Sequence, residues 1–322
     1  MANEQSESRE RAGASPGARD PISSRAFRAG FVALLGRPNA GKSTLLNRLV
    51  GEKLAIVSPR PQTTRNRITG IANRKDAQVV FVDTPGLQEV PGRLGEFMRG
   101  TVERAAGEVD VICVVVDAAA SRGPDPDLLA LVARAARPTV CCLNKVDLIH
   151  PKNRLLEVIE AWRNAHPFEE ILPTSGTDGT NCDRLLQLVI GHLPEHPALF
   201  PADTMTDQPE TFYAAEIVRE KIFQLTHQEV PYAAAVRVEE LVERTRPECL
   251  YIRAVIFVEQ ESQKAIVIGS GGGMLKRIGT AARRQLEAFF GIKVFLQLTV
   301  AVRRNWRKDE RALREFGFRL TS

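Results

Sequence analysis

Gly36-Arg37-Pro38-Asn39-Ala40-Gly41-Lys42-Ser43 decides the fold of this 322-residue chain. The apolar run Phe31-Val32-Ala33-Leu34-Leu35 precedes it, and a helical pattern with Leu45, Leu46 and Leu49 follows. Strand, glycine loop and helix in that order turn the pattern G-x-x-x-x-G-K-S into a phosphate cradle rather than a plain glycine turn. The glycines let the backbone wrap with its N–H groups pointing inward, and the helix N-terminus adds partial positive charge. Lys42 is placed to reach the outer phosphates and the Ser43 hydroxyl to ligate Mg²⁺, with Thr44 next in line.

Strands and helices alternate outward from this loop. Residues 67–73 and 77–82 read as a hairpin pair of strands, 111–116 and 139–143 as buried Val-rich strands, and 171–174 as a short one. Residues 91–106 read as a loop leading into a helix, and helical patterns cover 126–136, 155–164 and 182–193. Alternation of this kind predicts an α/β domain with a mostly parallel sheet and helices on both faces. Ligands bind such sheets at the carboxyl ends of the strands.

Three further motifs fall at those ends. Asp83-Thr84-Pro85-Gly86 closes one strand, with Leu87 next. Its carboxylate can hold Mg²⁺ through water, and Gly86 frees a backbone N–H for a terminal phosphate. Asn144-Lys145-Val146-Asp147 closes another strand. Asp147 can accept from guanine N1–H and N2–H₂, donors that adenine lacks. The Lys145 stem can cover the base. Thr174-Ser175-Gly176 ends the next strand and can offer backbone N–H to guanine O6. Between the glycine loop and D-x-P-G lies Pro61-Gln62-Thr63-Thr64-Arg65, a polar loop. A threonine there can complete Mg²⁺ coordination when the third phosphate is present and release it after hydrolysis. Thr64 is favoured and Thr63 is the alternative. The metal ligands are thus read as Ser43, Thr64 and Asp83, and the catalytic set as Lys42, Thr64, Gly86 and Asn39.

The totals agree with a cytosolic protein of two domains: 43% hydrophobic and 26% charged residues, and no apolar run of membrane-spanning length. Residues 1–26, rich in Ser, Ala, Gly, Arg and Glu, lack the apolar core of a secretory signal and read as a disordered tail. Of five cysteines, Cys113, Cys141 and Cys142 sit in apolar runs as small core residues. The net charge of +5 hides an asymmetry, because residues 262–322 carry 13 Lys and Arg against 4 Asp and Glu. A basic C-terminal segment points to a polyanion, nucleic acid before membrane surface.

G-R-P-N-A-G-K-S, P-Q-T-T-R, D-T-P-G-L, N-K-V-D and T-S-G resemble the guanine-nucleotide motifs of translation-factor-type GTPases. Their spacing looks most like Era, a family of bacterial ribosome-assembly GTPases. The resemblance runs from Phe27 to the C-terminus, through Glu216-Ile217-Val218-Arg219-Glu220-Lys221. It implies a P-loop GTPase domain over residues 27–196, a linker at 197–209 and an α+β, type II KH RNA-binding domain over 210–322. The second domain reads as a helix at 213–226, strands at 232–238 and 250–258, a helix at 274–290 and a final alternating strand from Val294 to Val302.

Within it, Gly269-Ser270-Gly271-Gly272 matches the G-x-x-G pattern of KH domains, whose glycines let backbone clamp about four nucleotides. Lys276, Arg277 and Arg283 supply positive charge on the following helix. Gly271 stands where this family usually has lysine, and Met274 replaces another basic residue. Trp306, among Arg303, Arg304, Arg307 and Lys308, either stacks on a base or packs the C-terminal segment.

The resemblance implies a monomeric GTP-hydrolysing switch, with GTP, GDP and Mg²⁺ as ligands. Its partners would be the 3′ end of 16S rRNA and the small (30S) ribosomal subunit. Two other readings compete: an RNA-binding scaffold with a structural nucleotide site, and a GTPase peripheral to the inner membrane. Leu87 stands where many GTPases carry a water-orienting glutamine. GTPases of the TrmE type share the G-R-P-N-A-G-K-S loop and use K⁺ instead. By that resemblance Asn39 would hold K⁺ against the phosphates, unless it only bonds its own loop.

Overall fold

The computed structural model describes residues 26–58, 60, 63–88, 90–246 and 248–318. The tail expected over residues 1–26 lies outside these apart from Ala26, as do Pro61 and Gln62 of the polar loop.

The first domain runs β1 (Arg28–Leu35), α1 (Lys42–Val50), β2 (Ile68–Asn73), β3 (Ala77–Asp83), α2 (Arg93–Glu108), β4 (Val111–Asp117), α3 (Pro126–Ala135), β5 (Thr139–Asn144), α4 (Arg154–Ala165), β6 (Glu170–Pro173) and α5 (Cys182–His192). The sheet order is β2-β3-β1-β4-β5-β6, with only β2 antiparallel to its neighbour. Strand side chains alternate between two apolar clusters, as period-2 geometry requires. Val32, Leu34, Val79, Phe81, Cys113 and Cys142 face α1 and α5. Ala33, Leu35, Val82, Ile112, Val114 and Cys141 face α2, α3 and α4. The three strand cysteines are buried, and burial pushes the Cys141 thiol far above its ordinary value.

The second domain runs α6 (Glu210–Leu225), α7 (Val230–Ala233), β7 (Ala235–Thr245), β8 (Glu248–Val258), α8 (Glu261–Ile268), α9 (Gly273–Phe290), β9 (Val294–Val302) and α10 (Glu310–Glu315). β8 lies between antiparallel β7 and parallel β9. Ile217, Val218, Ile278 and Leu286 of α6 and α9 pack on Ile252, Ile256 and Val294 of the sheet. Val294, Leu296, Leu298, Val300 and Val302 share that face, as the alternation predicts.

The hairpin differs from its sequence reading. Tyr232 belongs to the α7 turn, β7 begins at Ala235, and both strands extend into the charged stretch near Thr245. That tip is exposed, so it shows no apolar alternation from which a strand could be read.

The segment joining the domains seals the edge of β2. Ile71 N–H donates to Met205 O (2.8 Å) and Thr206 Oγ1 to Thr69 O (2.7 Å). Unpaired edge groups of the sheet are thereby satisfied. Among the described residues no helix is long and apolar enough to cross a membrane.

Candidate functional site

The glycine loop leaves β1 at Gly36 and enters α1 through Gly41 (φ 92°). A side chain at Gly36 would meet Val115 O at 2.2 Å, and one at Gly41 would meet Asn144 Nδ2 at 2.3 Å. Both positions therefore need glycine for closeness as well as for backbone angle. Lys42 is buried, and its Nζ donates to Gly36 O and Arg37 O, both at 3.0 Å. Burial pulls this ammonium down to about 8 against the opposing pull of Asp83. An anion within reach of Nζ would favour the charged form further, which suits a phosphate. Arg37 Nε pairs with Asp125 Oδ2 at 2.6 Å and ties the loop to the start of α3. Pro38, Asn39 (φ 61°), Ala40 and Thr44 line the same cavity, of about 920 Å³.

Ser43, Thr64 and Asp83 converge although they come from α1, the polar loop and the end of β3. Ser43 Oγ donates to Asp83 Oδ2 (2.6 Å) and lies 2.9 Å from Thr64 Oγ1, which also donates to Asp83 Oδ2 (3.3 Å). Thr63 instead bonds Arg60 O, so Thr64 is the threonine at this point. Asp83 Oδ1 is buried with no hydrogen-bond partner, and burial raises its carboxyl above the usual range. Two hydroxyls and one carboxylate, with one of its oxygens unpartnered, form a hard, all-oxygen donor set. Such a set fits Mg²⁺, which keeps waters and phosphate oxygens as its other ligands.

Thr84 is anchored by its hydroxyl to Leu34 O (2.9 Å), and Pro85 leads into Gly86. A side chain at Gly86 would meet Pro38 N at 2.5 Å, so D-T-P-G lies flush on the glycine loop. Leu87 N–H donates to Gly36 O (3.0 Å), while its side chain packs against the apolar cluster of Ala33, Leu35 and Val82.

At the base end, Asn144 joins two loops: its Nδ2 donates to Ala40 O (2.9 Å) and its Oδ1 accepts from Gly176 N–H (3.0 Å). Asp147 Oδ1 is buried and has no hydrogen-bond partner, as an acceptor reserved for base donors would be. Val146 N–H donates to Thr174 O and fixes the Asp147 turn. One expectation is corrected here. The N–H groups of Thr174, Ser175 and Gly176 already donate to Leu143 O, Thr180 O and Asn144 Oδ1. These residues shape the base end rather than present idle donors. Asp117 falls in none of the sequence motifs: its Oδ2 lies 2.6 Å from Lys145 Nζ and stretches the lysine stem across the site. Its only sequence signal is a carboxylate at the end of a Val-rich strand.

The second domain gathers another group. Gly269 (φ 72°), Gly271 (φ 57°) and Gly272 (φ 79°) all adopt left-handed angles before α9, with Ser270 among them. A side chain at Gly269 would meet Met274 Cβ at 2.7 Å, whereas Gly271 and Gly272 face open space. Gly272, Lys276, Arg283, Leu296 and Leu298 line a groove of about 390 Å³. Arg277 is exposed beside it. Trp306 is not part of it, and base stacking by this residue is ruled out. Its side chain is fully buried, with Nε1 donating to Ala233 O (2.8 Å) and its ring against Phe316 and Phe318.

Family models match two parts of the chain, one described as a 50S ribosome-binding GTPase (residues 31–145) and one as a KH domain (residues 229–307). GTPase Era of Geobacter metallireducens is 48% identical over 298 residues, spanning 92% of this chain and 100% of that relative. GTPase Era of Syntrophus aciditrophicus is 47% identical over 91% of this chain and 95% of its own length. Two solved structures superpose with a TM-score of 0.87 at 39% identity, covering 91% of this chain and all of theirs. One is a point variant of Aquifex aeolicus Era bound to GDP·AlF₄⁻; the other is Era in complex with MgGDPNP and nucleotides 1506–1542 of 16S ribosomal RNA.

Proposed function

The chain belongs to the Era family of GTPases, and from that premise we propose that its nucleotide state governs how its KH domain holds the 3′ end of 16S rRNA. It binds GTP and GDP with Mg²⁺ and hydrolyses GTP. In our reading it acts in the cytoplasm as a monomer on the small ribosomal subunit during assembly. One observation carries the proposal: Thr64 reaches Ser43 and Asp83 while the carbonyl of Thr63 accepts from Arg219 of α6 in the other domain. A loop that senses the third phosphate is thus in direct contact with the RNA-binding domain.

The residues divide the chemistry as follows. Ser43, Thr64 and Asp83 would hold Mg²⁺, which would supply positive charge against the phosphates of the nucleotide. Lys42 turns from the Gly36 and Arg37 carbonyls to the phosphates, and the N–H of Gly86 donates to the outermost one. Asp147 accepts from guanine, Lys145 covers the ring, and Asn144 keeps the two base loops together. Leu87 offers no polar group to orient water. Asn39, on the phosphate side of the cavity, is our candidate ligand for a monovalent cation that supplies the missing charge. Gly269, Ser270, Gly271 and Gly272 carry the RNA backbone, with Lys276, Arg277 and Arg283 as counter-charges.

Filter binding of labelled GTP and GDP, with and without a 16S 3′-terminal RNA, tests the reading. RNA is expected to tighten GTP binding relative to GDP and to stimulate hydrolysis. Equal effects of RNA on both nucleotides, with no stimulation, would overturn the switch and leave a scaffold.

A further inference from the structure

Thr64 and Arg65 are neighbours in sequence, but their side chains enter different domains. Thr64 joins Ser43 and Asp83, while Arg65, 2% exposed, is swallowed by the second domain. Its Nη1 donates to Ala234 O (2.9 Å) and its Nη2 to Tyr232 O (2.9 Å) and Pro231 O (3.2 Å). These carbonyls close the α7 turn, where carbonyls lack partners within the helix. The guanidinium also lies over Phe223 of α6 (5.7 Å) and over Trp306 (6.0 Å). Two more arginines grip the same junction. Arg219 reaches back to Thr63 O, and Arg60 donates to Phe223 O and Thr226 O at the end of α6.

We infer that Arg65 is a positioning residue that transmits the state of Thr64 to the RNA-binding domain through its seat on the α7 carbonyls. Adjacent Cα atoms are about 3.8 Å apart, so a backbone shift that carries Thr64 away from Ser43 and Asp83 also displaces Arg65. The seat is also all-or-none. A withdrawn guanidinium would leave three carbonyls unpaired, and a half-seated one would be desolvated without its hydrogen bonds.

The same turn feels the other phosphate-sensing segment. Trp306 Nε1 donates to Ala233 O in α7, and its ring stacks with Phe318, which meets Phe97 of α2. α2 follows Asp83-Thr84-Pro85-Gly86 in the chain. From α7 the path to RNA is short, because α6 packs on α9, with Tyr213 stacked on Phe289. α9 begins at the glycine clamp.

The inference rests on the coupled-switch reading, and the test separates the two. The full chain with Mg²⁺ is titrated with fluorescent 16S 3′-terminal RNA, once with GDPNP and once with GDP. The wild type should show a ratio of affinities of about 5 or more, and by reciprocity RNA should change the GDPNP-to-GDP affinity ratio by the same factor. In Arg65→Lys, which keeps the charge but cannot span three carbonyls, and in Arg65→Met, the ratio should fall to near 1 in both directions. GDP affinity without RNA should stay within about twofold of wild type, a balance that simple loss of folding would not leave. A wild-type ratio retained in both variants overturns the role of Arg65 and leaves the switch standing. A wild-type ratio of 1 overturns the switch and this inference with it. Should neither variant fold, hydrogen exchange on the wild type decides: the α7 amides should exchange more slowly with GDPNP than with GDP, and equal rates overturn the inference.

Discussion

Asp147, in the turn after β5, holds one buried oxygen without a partner. A buried acceptor of this kind discriminates strongly, because a base lacking donors leaves it unpaired. GTP should therefore be preferred over ATP by on the order of 10⁴-fold, and Asp147→Asn should lose GTP while gaining xanthosine triphosphate. Competition against labelled GTP measures both effects, and equal ATP and GTP binding by the wild type would defeat the guanine assignment. Asn39 presents a different question, since its φ of 61° places it in the left-handed region on the phosphate side of the cavity. If it ligates a cation, hydrolysis should be faster in K⁺ than in Na⁺ at equal ionic strength, and Asn39→Ala should erase the difference. Leu87→Ala should matter little by comparison, because the Leu87 side chain packs against an apolar cluster and only its backbone bonds the glycine loop. Identical rates in the two salts, with and without RNA, would leave Asn39 a structural residue.

Among the elements, the glycine clamp ahead of α9 separates two kinds of glycine. Gly269 has no room for a side chain, whereas Gly271 faces open space at φ 57°. Gly271→Lys should accordingly cost about 1 kcal/mol in backbone strain and still tighten RNA binding. The slope of log affinity against log salt should steepen by about one phosphate contact, whereas Gly269→Asp should loosen the loop and weaken binding. An unchanged salt slope in Gly271→Lys would mean that RNA does not pass this point. The glycine turn ahead of α9 was legible in the sequence because it is local, as were the loops at the ends of β1, β3 and β5. Each is a run of contiguous residues between a strand and a helix. What sequence hid was long-range. The seat of Arg65 lies 166–169 residues away along the chain, and nothing in Pro231-Tyr232-Ala233-Ala234 advertises three acceptor carbonyls. Trp306 reads equally well as a stacking platform or a core residue until Phe316 and Phe318 are seen closing over it. The β7–β8 hairpin extends through exposed charged residues, where burial leaves no pattern.

At the scale of the whole molecule, each domain has its own core, and a fourth apolar cluster spans both. Leu94, Phe97 and Met98 of α2 meet Trp306, Leu313, Phe316 and Phe318 of the C-terminal segment, beside Ala235. Neither domain core depends on this patch: the first is filled by β1, β3, β4 and their flanking helices, the second by α6, α9 and β8. Phe97 is 5% exposed and meets Phe318 edge-on at 5.4 Å, so its truncation removes area from the junction alone. Phe97→Ala should cost about 3–5 kcal/mol, as for a buried phenylalanine elsewhere, and the loss should fall on docking rather than on either core. Calorimetry is then expected to show one coupled unfolding transition in the wild type and two separated ones in Phe97→Ala. Of those two, the peak that shifts with added GDP and Mg²⁺ belongs to the nucleotide domain. A single transition that merely moves to lower temperature would show instead that Phe97 supports the nucleotide domain itself and that the domains are held together elsewhere, through Arg60, Arg65 and the Lys53–Glu220 pair.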